Sequence, residues 1–262
     1  MNLDLKNKRA VVCGSTQGIG KAVAMELASM GCNVTLIARN EESLKKTKSE
    51  LPTSGNQTHS YLCVDFTDQT KLKELIEAFI QRTGPVNILV NNTGGPPAGP
   101  ANTAKTEEFL DAFNQHLICN HILAQACIEG MKNSGYGRII NIISTSVKQP
   151  LPNLGVSNTI RAAVANWAKT LANELGKHNI TVNNVLPGAT ATQRLSSIID
   201  NKALKTNVNA DEVKKEMLHE IPMGRFAEAS DIASAVAFLA SPAASYITGI
   251  NVPVDGGRTA CL

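Results

Sequence analysis

The chain has 262 residues, of which 43% are hydrophobic and 18% charged, and its 25 Lys and Arg against 22 Asp and Glu give a formal net charge of +3. Disorder needs low hydrophobicity with high net charge, and the 19 Gly and 11 Pro show no collagen period and no low-complexity bias, so those classes are excluded. The length is near the upper limit for one domain, and no shift of composition marks a boundary, so residues 1–262 are predicted to form a single domain.

The distribution of charge and cysteine narrows the class further. Basic residues are scattered singly or beside acids, which does not favour a nucleic-acid partner. The six cysteines form no CxxC pair and no zinc-type spacing with histidine, so no metal site is expected. The N-terminus lacks an apolar leader, and no run approaches a spanning length, so a cytoplasmic protein without a membrane partner is predicted.

Short runs rich in Val and Ile alternate with helical patterns along the chain. Seven strands are predicted, at residues 9–13, 33–39, 60–64, 86–91, 138–143, 181–186 and 250–254. Helices are predicted at 21–30, 41–51, 68–83, 102–132 and 156–177. Strands that are apolar on both faces are covered by helices on both sides, so the fold class is α/β, a doubly wound parallel sheet of the Rossmann type.

One stretch departs from this alternation. Between Pro187 and Ile221 the chain carries a polar run at 200–202 and a short helical pattern at 211–220. That is too long for an ordinary connection between helix and strand. Residues 189–220 are either a lid over a substrate or a surface insertion.

A glycine-rich turn follows the first predicted strand and leads into the first helix. Its residues are Gly14, Ser15, Thr16, Gln17, Gly18, Ile19 and Gly20. Glycines allow a tight turn and close backbone approach, and the helix N-terminus offers unpaired amides to a pyrophosphate. This position between strand and helix predicts a dinucleotide site.

The second strand ends at Arg39, where a carboxylate would bind the adenosine ribose of NAD. A guanidinium can instead hold a 2′-phosphate with two hydrogen bonds. The predicted cofactor is therefore NADP, with NADPH preferred over NADH.

The chain resembles the classical short-chain dehydrogenases/reductases over about residues 5 to 258, with a layout similar to that of the 3-oxoacyl-(acyl-carrier-protein) reductases. Besides the glycine turn, the matching pieces are residues 64–68, 91–94, 137–141, 182–188, 246–249 and 254–257. The resemblance implies that Asp65 and Phe66 border the adenine and that Asn91 and Gly94 pass beneath the adenosine side. It also implies that Pro187, Gly188, Thr190 and Thr192 face the nicotinamide carboxamide. For Asn91, the alternative is a side chain at the strand end that satisfies loop backbone.

The catalytic end departs from the family pattern of Asn, Ser, Tyr and Lys. Ser144 matches the family serine, but Ser157 stands in the place of the tyrosine and Arg161 in the place of the lysine, one helical turn later. An aliphatic hydroxyl is a far poorer acid than a phenol. Arg161 can still bind the nicotinamide ribose, although its planar fork differs in reach from an ammonium.

His116 falls at the position of the family asparagine. Because imidazole titrates near neutral pH, His116 is a candidate substitute acid. The alternative is a satisfied polar residue at a packing or subunit surface, and Ser144 is likewise either a substrate-orienting hydroxyl or a loop cap.

Two functions follow from these residues. One is an NADP(H)-dependent oxidoreductase acting on a small carbonyl or acyl substrate, 3-oxoacyl-like in layout, with a non-standard tetrad. The other is a catalytically weak or inactive NADP(H)-binding sensor or structural protein. The resemblance further implies a homotetramer that uses helices 102–132 and 156–177 and the segment 243–257.

Overall fold

Seven strands form one parallel sheet with the order β3-β2-β1-β4-β5-β6-β7. The five inner strands are buried along most of their length, whereas the edge strands β3 and β7 are only partly buried. The computed structural model describes residues 1–261. Its strands are β1 (Arg9–Cys13), β2 (Asn33–Ala38), β3 (Ser60–Cys63), β4 (Ile88–Asn91), β5 (Gly137–Ile142), β6 (Ile180–Pro187) and β7 (Asn251–Val254). Each pair of neighbours is parallel, which confirms the predicted fold class.

Helices cover both faces of the sheet. They are α1 (Gly18–Ser29), α2 (Glu41–Glu50), α3 (Gln69–Thr83), α4 (Thr106–Phe113), α5 (Cys119–Ser134), α6 (Gly155–Leu175), α7 (Gln193–Thr206), α8 (Ala210–His219) and α9 (Ala229–Ala240). One buried cluster joins the sheet to α1, α2 and α9, and a second joins it to α3, α5 and α6. No helix in the described part of the chain is both long and apolar enough to cross a bilayer.

Two predicted segments differ from the structure. The helix expected over 102–132 begins only at Thr106, and its middle widens into a π-helical turn over Asn114–Ile118. The polar run at 200–202 lies inside α7, a helix that the sequence did not predict. Leu195 is the buried residue of α7, so its apolar periodicity is too weak to detect.

The direction in which strands are added to the sheet reverses between β1 and β4. From β1 the sheet grows one way through β2 to β3, and from β4 it grows the other way through β5 and β6 to β7. In open parallel sheets, ligands bind in the crevice outside the carboxyl ends of the strands at such a switch point. The glycine turn after β1 and residues 92–95 after β4 both lie there.

Candidate active site

The turn between β1 and α1 is shaped for close approach of a phosphate. Gly14 and Gly18 have φ values of 57° and 52°, in the left-handed region. A Cβ atom on Gly20 would lie 2.2 Å from the carbonyl oxygen of Gly14. Gln17, the N-cap of α1, makes no side-chain capping bond, so the first amides of the helix remain free. The turn therefore fits a pyrophosphate.

Asn92 connects β4 to this turn. Its Nδ2 donates to the carbonyl oxygens of Cys13 at 3.2 Å and Gly14 at 3.3 Å. On the other side, Ser15 is buried, and its hydroxyl donates to the carbonyl oxygen of Ile37. The shape of the turn is thus set by the neighbouring strands, and Asn92 is a residue to which the sequence assigned no role.

Asn91 makes no such bond to the backbone of the glycine turn. The interpretation of its side chain as a partner of loop backbone is therefore wrong. Its Nδ2 donates to Asn141 Oδ1 at 2.8 Å. Asn141 then donates to Asn184 at 2.9 Å, and Asn184 to Asn251 at 2.8 Å. Successive side chains of a strand point to opposite faces, so Asn92 faces the turn while Asn91 lies at one end of an amide ladder across the sheet. Asn91 is only 2% exposed, which leaves its side chain inside the sheet.

Arg39 and Asp65 meet beyond the carboxyl ends of β2 and β3. Arg39 Nη1 lies 3.7 Å from Asp65 Oδ2, and the Arg39 side chain is 80% exposed. The amide and hydroxyl of Thr67 both donate to Asp65, and chiefly the amide bond holds the pKa of that carboxyl below its usual range. An exposed pair at this distance is weak, which leaves the Arg39 guanidinium free for a phosphate.

The segment after β6 reaches back to the glycine turn. A Cβ atom on Gly18 would lie 3.2 Å from Thr192 Cγ2. The hydroxyl of Thr190 donates to the Gly188 carbonyl oxygen at 3.1 Å, and Thr192 donates to the Thr190 carbonyl oxygen at 3.3 Å. The structure therefore brings Thr192 close to the turn that precedes α1, while Thr190 is buried and bound within its own segment.

His116 lies in the π-helical turn between α4 and α5 and is 2% exposed. Such turns recur at functional sites. Its Nδ1 is hydrogen-bonded to Thr93 Oγ1, where Thr93 follows β4. The sequence assigned no role to Thr93, although its hydroxyl stands beside the candidate His116.

Arg161 is the second buried polar group of this site. It is 8% exposed, and it donates to the carbonyl oxygens of Ile142 at 3.1 Å and Thr93 at 3.4 Å. Burial, and then the charge of Arg194, lowers the pKa of Arg161 to about 10, so it stays cationic at neutral pH. Arg161 thus joins the ends of β4 and β5 with a positive charge.

These charges change the expectation for His116. Burial lowers the pKa of His116 to about 2, with further contributions from Arg161 and Arg194. The ring is therefore neutral at pH 7, and the expectation that it titrates near neutrality is wrong. A neutral imidazole can still donate one hydrogen bond to a substrate oxygen.

Two hydroxyls complete the catalytic end. Ser144 follows β5, and its Oγ accepts from the Ser146 amide at 3.1 Å. Ser157 lies near the start of α6, one turn before Arg161 on the same face, and is 7% exposed. The tyrosine hydroxyls are engaged elsewhere or exposed: that of Tyr61 donates to Glu41, that of Tyr136 donates to the Ala240 carbonyl oxygen, and Tyr246 is fully exposed.

The first turn of α7 contacts the loop after β4. Arg194 Nη1 donates to the Gly95 carbonyl oxygen at 3.0 Å, and Nη2 donates to that of Pro96 at 3.3 Å. These bonds hold the start of the 189–220 segment against the loop that carries Thr93 and Gly94.

Comparison with known proteins shows which reductases the chain is similar to. The family profile described as enoyl-(acyl carrier protein) reductase matches residues 14–259. The 3-oxoacyl-(acyl-carrier-protein) reductase FabG of Haemophilus influenzae is 37% identical over 255 residues, which cover 97% of this chain and 98% of that protein. The NADPH-dependent reductase BacG of Bacillus subtilis is 30% identical over 254 residues, covering 97% and 98%.

A solved structure shows the same likeness in three dimensions. The L-sorbose reductase of Gluconobacter frateurii, determined with NADPH and L-sorbose, superposes with a TM-score of 0.93. It is 28% identical, and the match covers 100% of each chain.

Proposed function

The chain belongs to the short-chain dehydrogenase/reductase family, and we propose that it is an NADP(H)-dependent oxidoreductase acting on a carbonyl/alcohol pair. The observation that carries the cofactor assignment is the pairing of the glycine turn with Arg39 at the next strand end. The turn presents free helix amides, and Arg39 adds an exposed guanidinium. Together they match a pyrophosphate and a 2′-phosphate. NADPH-dependence in BacG supports the same choice.

The predicted cofactor residues divide into three groups. The pyrophosphate would be held by Gly14, Ser15, Thr16, Gln17, Gly18, Ile19 and Gly20, and the adenosine end by Arg39, Asp65 and Phe66. The nicotinamide half would be held by Gly94, Pro187, Gly188, Thr190, Thr192 and Arg161, with Asn91 supporting the sheet beneath. When bound, NADPH supplies a hydride to the substrate carbonyl.

The chain's own residues stabilise the substrate oxygen. Reduction builds negative charge on that oxygen, and fixed donors and cations in a water-poor site stabilise such charge. We infer that the Thr93 hydroxyl donates to Nδ1, so that neutral His116 carries its proton on Nε2 and can donate it in a hydrogen bond. A neutral imidazole that polarises a carbonyl is a known catalytic device. Ser144 and Ser157 supply two further hydroxyl donors, and Arg161 supplies the positive charge.

A direct test follows the absorbance of NADPH with a panel of ketones, 3-oxoacyl thioesters and reducing sugars, each with purified protein. We expect saturable oxidation with at least one carbonyl, and we expect His116→Ala to lower turnover while NADPH affinity is kept. Unchanged turnover in His116→Ala would remove this residue from the mechanism.

The replacement of the family tyrosine and lysine by Ser157 and Arg161 favours a second candidate, a weak or inactive NADP(H)-binding sensor or structural protein. That candidate is preferred if NADPH binds but is not oxidised with any member of the panel. The lid-like segment 189–220, fastened through Arg194, favours the enzyme, because a closure over the crevice serves a bound ligand.

A further inference from the structure

Two arginines, Arg161 and Arg194, lie near His116, and the proposed reaction uses the positive charge of only one of them. His116 and Arg161 both bind Thr93, and Arg194 binds the carbonyl oxygen of Gly95, two residues later in the same loop. The three side chains therefore lie around one short loop, and the two guanidinium charges both lower the pKa of His116. The stabilisation of a developing oxyanion is already provided by Arg161. Arg194 comes from a different element, α7, and its charge has no role in that step.

Neither arginine is balanced by an acid among the residues that the structure describes. Among residues 1–261, the other arginines near the lid are paired, Arg225 with Asp231 and Arg258 with Glu220, whereas no ion pair includes Arg161 or Arg194. Both guanidinium groups instead donate to backbone carbonyl oxygens. Placing like charges together without a counter-ion is unfavourable, and a bound anion removes that cost.

The loop after β4 leaves room for the Arg194 guanidinium. A Cβ atom on Gly95 would lie 2.5 Å from Arg194 Nη2 and 2.9 Å from Cζ. The guanidinium of Arg194 therefore lies directly over Gly95, in the same loop as Thr93. Solvent reaches Arg194, so a ligand entering the crevice can meet its remaining donors.

We propose that Arg194, with Arg161 behind it, forms a subsite for a carboxylate, and that the physiological substrate is an oxo acid or hydroxy acid rather than a neutral ketone. This inference depends on the proposed function, since it names the substrate class of the same site. A planar guanidinium binds a carboxylate with two parallel hydrogen bonds, which gives orientation as well as affinity. The subsite then holds the acid group while the carbonyl faces His116.

The cofactor also carries anions, and Thr192, two residues before Arg194, lies beside Gly18. A cofactor phosphate is therefore the other candidate for Arg194, and affinity for NADPH distinguishes the two. The position of Arg194 near His116 and Arg161 rather than near Arg39 favours the substrate.

The test compares acetoacetate with methyl acetoacetate, and pyruvate with methyl pyruvate, in NADPH oxidation by the parent, Arg194→Gln, Arg194→Lys and Gly95→Ala. Gln removes the charge but keeps an amide donor for the loop carbonyls, and Lys keeps the charge. Gly95→Ala displaces the flexible end of Arg194, and its backbone φ is not in the left-handed region. Arg82→Gln, on the exposed surface of α3, is the control.

We expect Arg194→Gln and Gly95→Ala to raise KM for the acids about tenfold or more and to change KM for the esters less than threefold. Arg194→Lys should have an intermediate effect on KM for the acids, and Arg82→Gln should have none. Calorimetry of benzoate and benzamide with the NADP⁺-loaded protein gives a second readout that needs no turnover. Benzoate should bind the parent more tightly than benzamide does and lose that advantage in Arg194→Gln.

Several outcomes would overturn the carboxylate subsite. They are equal use of acids and esters by the parent, absence of any benzoate preference, or a loss of NADPH affinity in Arg194→Gln that accounts for its whole effect. Failure of the parent to bind NADPH would instead reject the proposed function, so the two failures are distinguishable.

Discussion

The hydroxyl of Thr93 is hydrogen-bonded to Nδ1 of His116, and the backbone carbonyl of the same threonine accepts a bond from Arg161. One residue just after β4 thus contacts both of the buried groups that are predicted to act in catalysis. The loop after β4, the π-helical turn and α6 converge on it, so Thr93 couples the orientation of the imidazole to that of the guanidinium.

Thr93→Val should therefore impair turnover more than it impairs folding. The substitution keeps the shape of the side chain but removes the hydroxyl, leaving the His116 ring free to change its tautomer or rotate. One such hydrogen bond contributes about 1 kcal/mol, so kcat should fall about five- to tenfold. NADPH affinity should be unchanged, and Thr93→Ser should restore kcat. A drop in NADPH affinity equal to the drop in kcat would contradict this positioning role.

The buried neutral His116 should make the protein less stable in mild acid. Its pKa in the folded state is far below the unfolded value near 6.5, so the unfolded chain binds the proton more tightly. The contribution of neutral His116 to the free energy of unfolding is fully present above pH 6.5. It declines as the pH falls below that value, by about 2 kcal/mol at pH 5.

Urea unfolding of the parent and His116→Asn at pH 7.5 and pH 5 measures this effect. The variant should lose less stability between the two pH values than the parent does. His219, exposed near the end of α8, provides the control His219→Asn, which should keep the parental dependence. Identical losses in the parent and His116→Asn would contradict the prediction.

Arg39 should determine the choice between the two nicotinamide cofactors. In Arg39→Asp a carboxylate would repel the 2′-phosphate and accept bonds from ribose hydroxyls, and Asp65 lies next to it. NADPH should bind more tightly than NADH to the parent, and the order should invert in the variant. Calorimetry measures both affinities, and equal affinities in the parent would reject the role of Arg39.

Restoring the family acid should raise activity toward simple ketones. In Ser157→Tyr combined with Arg161→Lys, a phenol stands beside an ammonium one turn away on α6. A positioned acid contributes about 10² to 10⁴ in rate, or roughly 3 to 5 kcal/mol of barrier. NADPH oxidation with an activated ketone is the assay. No gain in a variant that folds and binds NADPH would show that more than the proton donor has changed.

The assembly remains a prediction, and light scattering tests it. Leu110 and Phe113 on α4 are exposed in the single chain at 57% and 38%, and Tyr246 and Ile250 in the segment 243–257 are also exposed. These surfaces lie in the elements for which the family resemblance implies two-fold contacts, so a homotetramer is expected. A mass near that of one 27.8 kDa chain would contradict it.

The strands and the glycine turn could be predicted because their causes are local. Each strand is a short run of apolar residues, and the turn needs glycines where φ is positive. The π-helical turn around His116 and the helix α7 could not be predicted in the same way. A π-helical turn has no distinct periodicity, and α7 buries too little apolar surface to mark its face.

What the sequence by itself determined is the sheet, the family resemblance and the position of Arg39 after β2. The assignment of Ser157 and Arg161 to the places of the family tyrosine and lysine stays a prediction from that resemblance. What only the tertiary structure decided is the state of the groups at the reacting end. Whether His116 is charged depends on its burial and on Arg161 and Arg194, which are 45 and 78 positions distant in the chain. Likewise, the partner of Asn91 is Asn141, because strand register placed those two amides together. The free energy of protonating a side chain depends on every nearby charge and on the exclusion of water. Only folding brings such charges together and removes the water around them.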